Sequence, residues 1–298
     1  KWSFAGLIVT ALFQVIVVVA SKSVALFADT VHNFADASTA IPLGIAFVFA
    51  RFKPTKRFTY GYGRVEDLAG ALVVLTILFS AVVAGYEAIQ RFFHPVPISH
   101  LWAVALASVV GFAGNEAVAI FRIRVGKEIG SAALVADGNH ARVDGLTSLA
   151  VLAGAIGVWL GFPLADPIIG LFISGTIFLI VWQSAKEVFT RMLDGVDPDV
   201  LHEVVHAAEH VEGVKQVGEI KARWVGHKLY VELNIAVSND ASVKKGHELA
   251  KEVRHELLHH LPHLGHVMIH VDPENDFGER YHRIGQHRHG HLPLHSHE

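Results

Sequence analysis

The chain contains no cysteine, which excludes disulfides and thiolate metal sites, so any bound metal must be held by imidazole, carboxylate or backbone oxygen. Charge is scarce as well. Only 18% of the residues are Asp, Glu, Lys or Arg and the net charge is −3, which excludes both the basic footprint of a nucleic-acid binder and an acidic tail. The space left by the missing charge is filled by apolar residues, 52% of the chain, with a mean hydropathy of +0.40. A 298-residue chain of this composition is too apolar for an ordinary soluble protein and is read as a membrane protein.

Six apolar segments, at about 3–21, 25–50, 66–91, 101–122, 131–160 and 166–190, are each long enough for a helix crossing a bilayer core, which takes about 20 residues. The first lacks the small-residue cleavage pattern of a secretory signal and is read as a span. Lys1, the group Arg51, Lys53, Lys56, Arg57 and Arg64, the group Arg122, Arg124 and Lys127, and the pair Lys186 and Arg191 fall on one side of the six segments. The other side has little beyond Lys22 and Arg91. The positive-inside rule then places both termini in the cytoplasm.

After "LDGVDPD" the composition becomes that of a small soluble domain. Residues 199–211 and 242–261 have helical periodicity, whereas "VKQVGEIKARWV", "KLYVELNIAV" and "HVMIHV" alternate like strands. The order α-β-β-α-β predicts a ferredoxin-like sandwich. The expected organisation is a transmembrane domain over 1–193, a soluble α+β domain over 194–276 and a polar, His-rich, disordered tail over 277–298.

Two buried segments share one skeleton. "ADTVHNFAD" at 28–36 and "ADGNHARVD" at 136–144 both read A-D-x-x-H-x-x-x-D. Positions i, i+3 and i+7 lie on one face of a helix, so Asp29, His32 and Asp36 form one polar stripe and Asp137, His140 and Asp144 another. Four such groups facing lipid would cost on the order of 10 kcal/mol, which drives the stripes to face each other. His32, Asp36, His140 and Asp144 then offer two nitrogens and two carboxylates, a tetrahedral set suited to Zn²⁺ whose charge the carboxylates cancel. A single stripe could equally be a helix-packing hydrogen bond. Its repetition favours the metal. Asp29 and Asp137 sit near helix ends, where a solvated or capping Asp is ordinary.

"SVALFADTVHNFAD", "GYGRVEDLAGAL", "NHARVDGLTSLAVL" and "LLHHLPHLGHVMIHVDPE" together resemble the cation diffusion facilitator family over nearly the whole chain. The resemblance implies six transmembrane helices, a cytoplasmic ferredoxin-like domain, a homodimer, and exchange of a divalent transition metal for protons. Carried over by position, it implies the same transport ligands, His32, Asp36, His140 and Asp144, in the two-His, two-Asp form of the zinc-preferring branch. A prokaryotic-type member in the inner membrane is expected, because no long His-rich loop joins the fourth and fifth segments. Zn²⁺ is then cargo and a possible regulatory ligand, and no cofactor is implied.

The sequence departs from the family pattern in two places. Phe58 and Tyr62 stand where some relatives carry His in the loop "RFKPTKRFTYGYGRVE", so no metal is expected there. In the soluble domain His247, His270 and Asp272 match a regulatory metal site, but Glu219 and Asn234 stand where others have His. Only a partial site is expected.

Of the 21 His, 17 follow residue 195. His202, His206 and His210 recur at i, i+4 and i+8, which is ligand spacing but also an ordinary solvated face, and the solvated face is the favoured reading. His255, His259, His260, His263 and His266 suggest weak metal buffering by their density, and the tail His a low-affinity collector. A competing function is a membrane-bound metal sensor or scaffold with a structural buried site. An intramembrane hydrolase is disfavoured because no H-E-x-x-H or similar general-base arrangement appears.

Overall fold

A computed structural model describes residues 41–93, 101–162 and 164–278. The chain divides into two compact units, Lys1–Met192 and Leu193–Glu298.

In the first unit, residues 41–49 are helical and lead through a loop to four long helices. These are α1 (Arg64–Phe93), α2 (Leu101–Ile129), α3 (Ala132–Trp159) and α4 (Ala165–Met192). They realise the third to sixth apolar segments: α1 and α4 run one or two residues longer at each end, α2 runs seven residues further, and α3 is one residue shorter at each end. Among the described residues α1, α3 and α4 contain stretches long and apolar enough to cross a membrane. At 28 to 30 residues and about 1.5 Å per residue, α1, α3 and α4 exceed a hydrocarbon core of about 30 Å. The first predicted segment and most of the second lie outside the described residues.

Each helix has a lipid side and a packed side. Along α1, Leu68, Leu72, Leu75, Phe79 and Tyr86 are exposed while Val73, Val74, Ile77 and Ala81 are buried against α3 and α4 residues such as Val143, Ile177 and Val181. Exposed large apolar side chains on so long a helix are what a hydrocarbon solvent selects. The most enclosed helix is α3, and its buried residues are mostly small: Ala132, Ala133, Ala136, Gly138, Ala141, Gly145, Ala150, Gly154 and Ala155. Small residues let helix backbones approach closely where no hydrophobic effect drives them together. The approach to α2 is close at Gly138, where an added Cβ would lie 2.7 Å from Ile123 Cγ1 and 2.9 Å from the Ile123 backbone nitrogen.

The α2–α3 turn closes by a glycine cap. Gly130 takes φ +72°, and the next residue, Ser131, donates its N–H to the Gly126 carbonyl at 2.8 Å. Ser131 then caps α3, its hydroxyl accepting from the Leu134 N–H at 3.1 Å. At the same end of the bundle Arg191 donates to the Gly130 carbonyl and Arg64 to the Arg191 carbonyl, tying α1, α4 and the turn together.

The preceding loop is organised by rings. Tyr62 lies 4.9 Å from Phe58 and 6.3 Å from Phe52, centroid to centroid.

The second unit runs α5 (Pro198–Glu209), β1 (Gln216–Val225), β2 (Lys228–Val237), α6 (Val243–His260) and β3 (Leu264–Pro273), with a short 3₁₀ turn at Glu274–Asp276. This is the expected α-β-β-α-β order. The sheet order is β1-β2-β3, with β1 antiparallel and β3 parallel to β2. Asp197 and Ser242 cap α5 and α6 by accepting from the Asp199 and Lys245 N–H groups. Leu229, Val231, Leu233, Ile235 and Val237 point from β2 into one core with Val204, Ala207 and Ala208 of α5 and Leu249, Val253 and Leu257 of α6. Alternation sends Glu232, Asn234, Met268, His270 and Asp272 to the other face. A bulge between Val217 and Ile220 interrupts β1, and Gly218 there leaves room for the Phe277 ring, which a Cβ would meet at 2.4 Å.

Candidate metal centre

The rotation of α3 about its own axis decides where its polar stripe points, and three side-chain ties define that rotation. Arg122 of α2 lies 3.0 Å from Asp137, with both side chains buried. One and a half turns further along, Arg142 forks onto Glu116 of α2, its Nε and Nη2 donating at 3.3 and 2.9 Å. On another side, Asn139 donates to the Ser184 hydroxyl of α4 at 2.8 Å. These ties and the Gly138 contact hold α3 between α2 and α4.

With that rotation, His140 and Asp144 are 2% and 8% exposed, respectively. They stand one turn apart, His140 Nδ1 lying 3.6 Å from Asp144 Oδ2. A nitrogen and a carboxylate oxygen, adjacent and withdrawn from the surface, form half of a tetrahedral ligand set for a borderline dication. The other half of the sequence-derived set, His32 and Asp36, lies outside the described residues, as does Asp29. Asp137, read as a weak candidate, belongs with Arg122 and serves to position α3.

Sequence reasoning missed this use of Arg122. Its position in a basic group made it a topology signal, and nothing local marks its pairing with a residue 15 positions away across a turn.

In the second unit His270 Nε2 lies 2.8 Å from Asp272 Oδ1, an exposed imidazole on a buried carboxylate. His247, at the start of α6, lines an open pocket of 390 Å³ together with Asp272, Gly246 and Val271. His270 faces a neighbouring hollow of 270 Å³ lined by Glu219, Lys221, Glu232, Asn234 and Met268. Asp272 links the three regulatory candidates, since it contacts His270 and lines the same pocket as His247. Asn234 stands directly opposite His270 in the β2–β3 register, and Glu219 is 3.0 Å from Lys221. Asn234 thus offers an amide, and Glu219 a lysine-paired carboxylate, in the hollow that His270 faces.

His202, His206 and His210 are all exposed, in keeping with the solvated-face reading, and His206 has a further neighbour. Beside Glu203 on its own helix it meets His260 across the α5–α6 packing, and the three can each present a ligand atom within 4.8 Å of the others. The sequence signal was the i, i+3 spacing of Glu203 and His206; the third member comes from 54 residues further on.

Family models match almost the whole chain. The cation efflux transmembrane domain covers residues 1–193, and the cation efflux protein cytoplasmic domain covers residues 196–274. The chain is 52% identical over 273 residues to the probable cation efflux system protein Rv2025c of Mycobacterium tuberculosis (strain ATCC 25618 / H37Rv), covering 92% of this chain and 82% of that protein. It is 26% identical to the manganese efflux system protein MneP of Bacillus subtilis (strain 168), over 84% of this chain and 87% of that one. A solved MamM-CTD structure matches 26% of this chain and 98% of its own length at 25% identity and a TM-score of 0.25. With its apolar helices and these family matches, the chain belongs to the cation efflux family, the cation diffusion facilitators, and is an integral membrane transporter of metal cations rather than an enzyme.

Proposed function

We propose that this transporter exports Zn²⁺ from the cytoplasm in exchange for H⁺, using His32, Asp36, His140 and Asp144 as the transport ligands. The observation that carries the reading is the buried His140–Asp144 pair at 3.6 Å, together with the same His-x-x-x-Asp spacing at His32 and Asp36. Two imidazoles and two carboxylates suit Zn²⁺ better than a harder ion such as Mn²⁺, which favours oxygen ligands. Two ionised carboxylates also cancel the charge of the dication, which makes its residence in a low-dielectric site tolerable.

Proton exchange follows from the same ligands. His must be neutral and Asp ionised to bind metal, so protons arriving from the far side favour release there, and their loss to the cytoplasm restores the empty site. The protein works as a homodimer in a prokaryotic inner membrane, with both termini and the second unit in the cytoplasm. His247, His270 and Asp272 form a regulatory metal site, weakened by Asn234 and Glu219, that responds to cytoplasmic metal. The boundaries of this organisation are residues 1–193, 194–276 and 277–298.

The test is flux. In proteoliposomes carrying a pH gradient, Zn²⁺ should move against the proton flow, and dissipating the gradient should slow it. Protein that binds Zn²⁺ and moves none would favour the scaffold reading; flux indifferent to the gradient would remove proton exchange.

A further inference from the structure

The helical layer of the second unit brings together three ligand-type side chains that the transport reading leaves unused. Glu203 and His206 stand one turn apart on α5, and His260 is the last residue of α6. His260 Nδ1 lies 2.6 Å from Glu203 Oε1, and the His206 and His260 rings are 5.9 Å apart between centroids. Glu256, one turn back on α6, places Oε2 4.0 Å from His260 Nε2. We propose that Glu203, His206 and His260 form a third metal site, for Zn²⁺ or a similar borderline dication, that clamps α5 to α6.

A surface His–Glu ion pair would account for Glu203 and His260 alone. It does not account for His206, whose ligand nitrogen lies within the same 4.8 Å as the other two ligand atoms. On a tetrahedral zinc with bonds of about 2.0–2.1 Å, ligand atoms stand about 3.4 Å apart, so modest side-chain rotation closes the site. The beds beneath are rigid: Val204, Ala207, Leu257 and Val253 are each fully buried in the common core. Both helices also end here. His206 lies in the last turn of α5 and His260 in the last turn of α6, where each helix end carries about half a negative charge that favours a cation. Two nitrogens and one carboxylate complete the protein share of a zinc shell, leaving the fourth position to Glu256 or water. The site lies on the helical layer, whereas His270 and Asp272 project from the opposite face of the sheet.

The absence of native cysteine provides a clean test in the full chain. His206→Cys introduces the protein's single thiol and keeps a ligand at that position. Titrated with Co²⁺ in detergent, this variant should develop a thiolate-to-cobalt charge-transfer band that Zn²⁺ bleaches. Adding Glu203→Gln and His260→Gln should raise the cobalt midpoint by at least about tenfold, as expected when metal ligands or their close supports are removed. Absence of the band, or a midpoint that those two substitutions leave unchanged, would overturn the site. As an independent measure, Zn²⁺ should raise the thermal midpoint of the parent more than that of the His206→Gln, His260→Gln variant. An equal rise in the two would also overturn it.

Discussion

Arg122 of α2 and Asp137 of α3 meet at 3.0 Å with side chains 6% and 2% exposed, a buried ion pair one turn from the His140–Asp144 pair. Removing one member strands the other charge in a low-dielectric interior, at about 3–5 kcal/mol, whereas replacing both by apolar residues of similar volume is often nearly neutral. Arg122→Ala and Asp137→Ala should each lower the thermal midpoint of the detergent-solubilised protein well below that of the double variant Arg122→Met, Asp137→Leu. A double variant no more stable than either single one would mean that the pair contributes more than mutual neutralisation.

Asp144→Ala should abolish Zn²⁺ flux in proteoliposomes while the protein still elutes as a folded species. Loss of one carboxylate leaves the bound dication half compensated where compensation matters most. Normal flux in a well-folded Asp144→Ala protein would sink the four-ligand site.

His32→Asp should broaden selectivity, because a hard oxygen replaces a borderline nitrogen and adds negative charge. Competition assays should show Mn²⁺ or Cd²⁺ flux gaining relative to Zn²⁺. An unchanged selectivity profile would remove His32 from the ligand set.

Gly138→Val should separate α2 from α3, since even one added carbon would sit 2.9 Å from the Ile123 backbone nitrogen, which cannot rotate away. Overpacking of this kind costs about 1–3 kcal/mol or more. A lowered thermal midpoint and reduced flux are expected; wild-type values for both would show that the helices are not held at this contact.

The proposed regulatory site at His247, His270 and Asp272 predicts a separate signature. His247→Ala with His270→Ala should shift zinc-induced association of the fragment 193–278, followed by light scattering, to higher metal. Deleting residues 277–298 should alter the zinc dependence of transport and spare its maximal rate, because a His-rich collector would supply metal without forming the membrane site. An identical zinc midpoint in the doubly substituted fragment would locate regulation elsewhere.

Local periodicity explains what could be read from the amino-acid order alone. Long apolar runs require helices because lipid offers backbone groups no partner, and strict alternation requires strands with one covered face. Those two rules suffice for α1, α3 and α4, for the α-β-β-α-β unit, and for His140 and Asp144 sharing one face of α3. What periodicity cannot convey is the phase between elements. The pairing of Arg122 with Asp137, the approach of Ile123 to Gly138, the Asn234–His270 register and the meeting of His206 with His260 all depend on how far one helix or strand is rotated or shifted against another. That rotation is set by the summed packing of small residues and cores, a property of surfaces in contact rather than of any one segment. The sequence determined that these ligand-type side chains exist and which local faces they occupy; tertiary packing alone decided which of them meet.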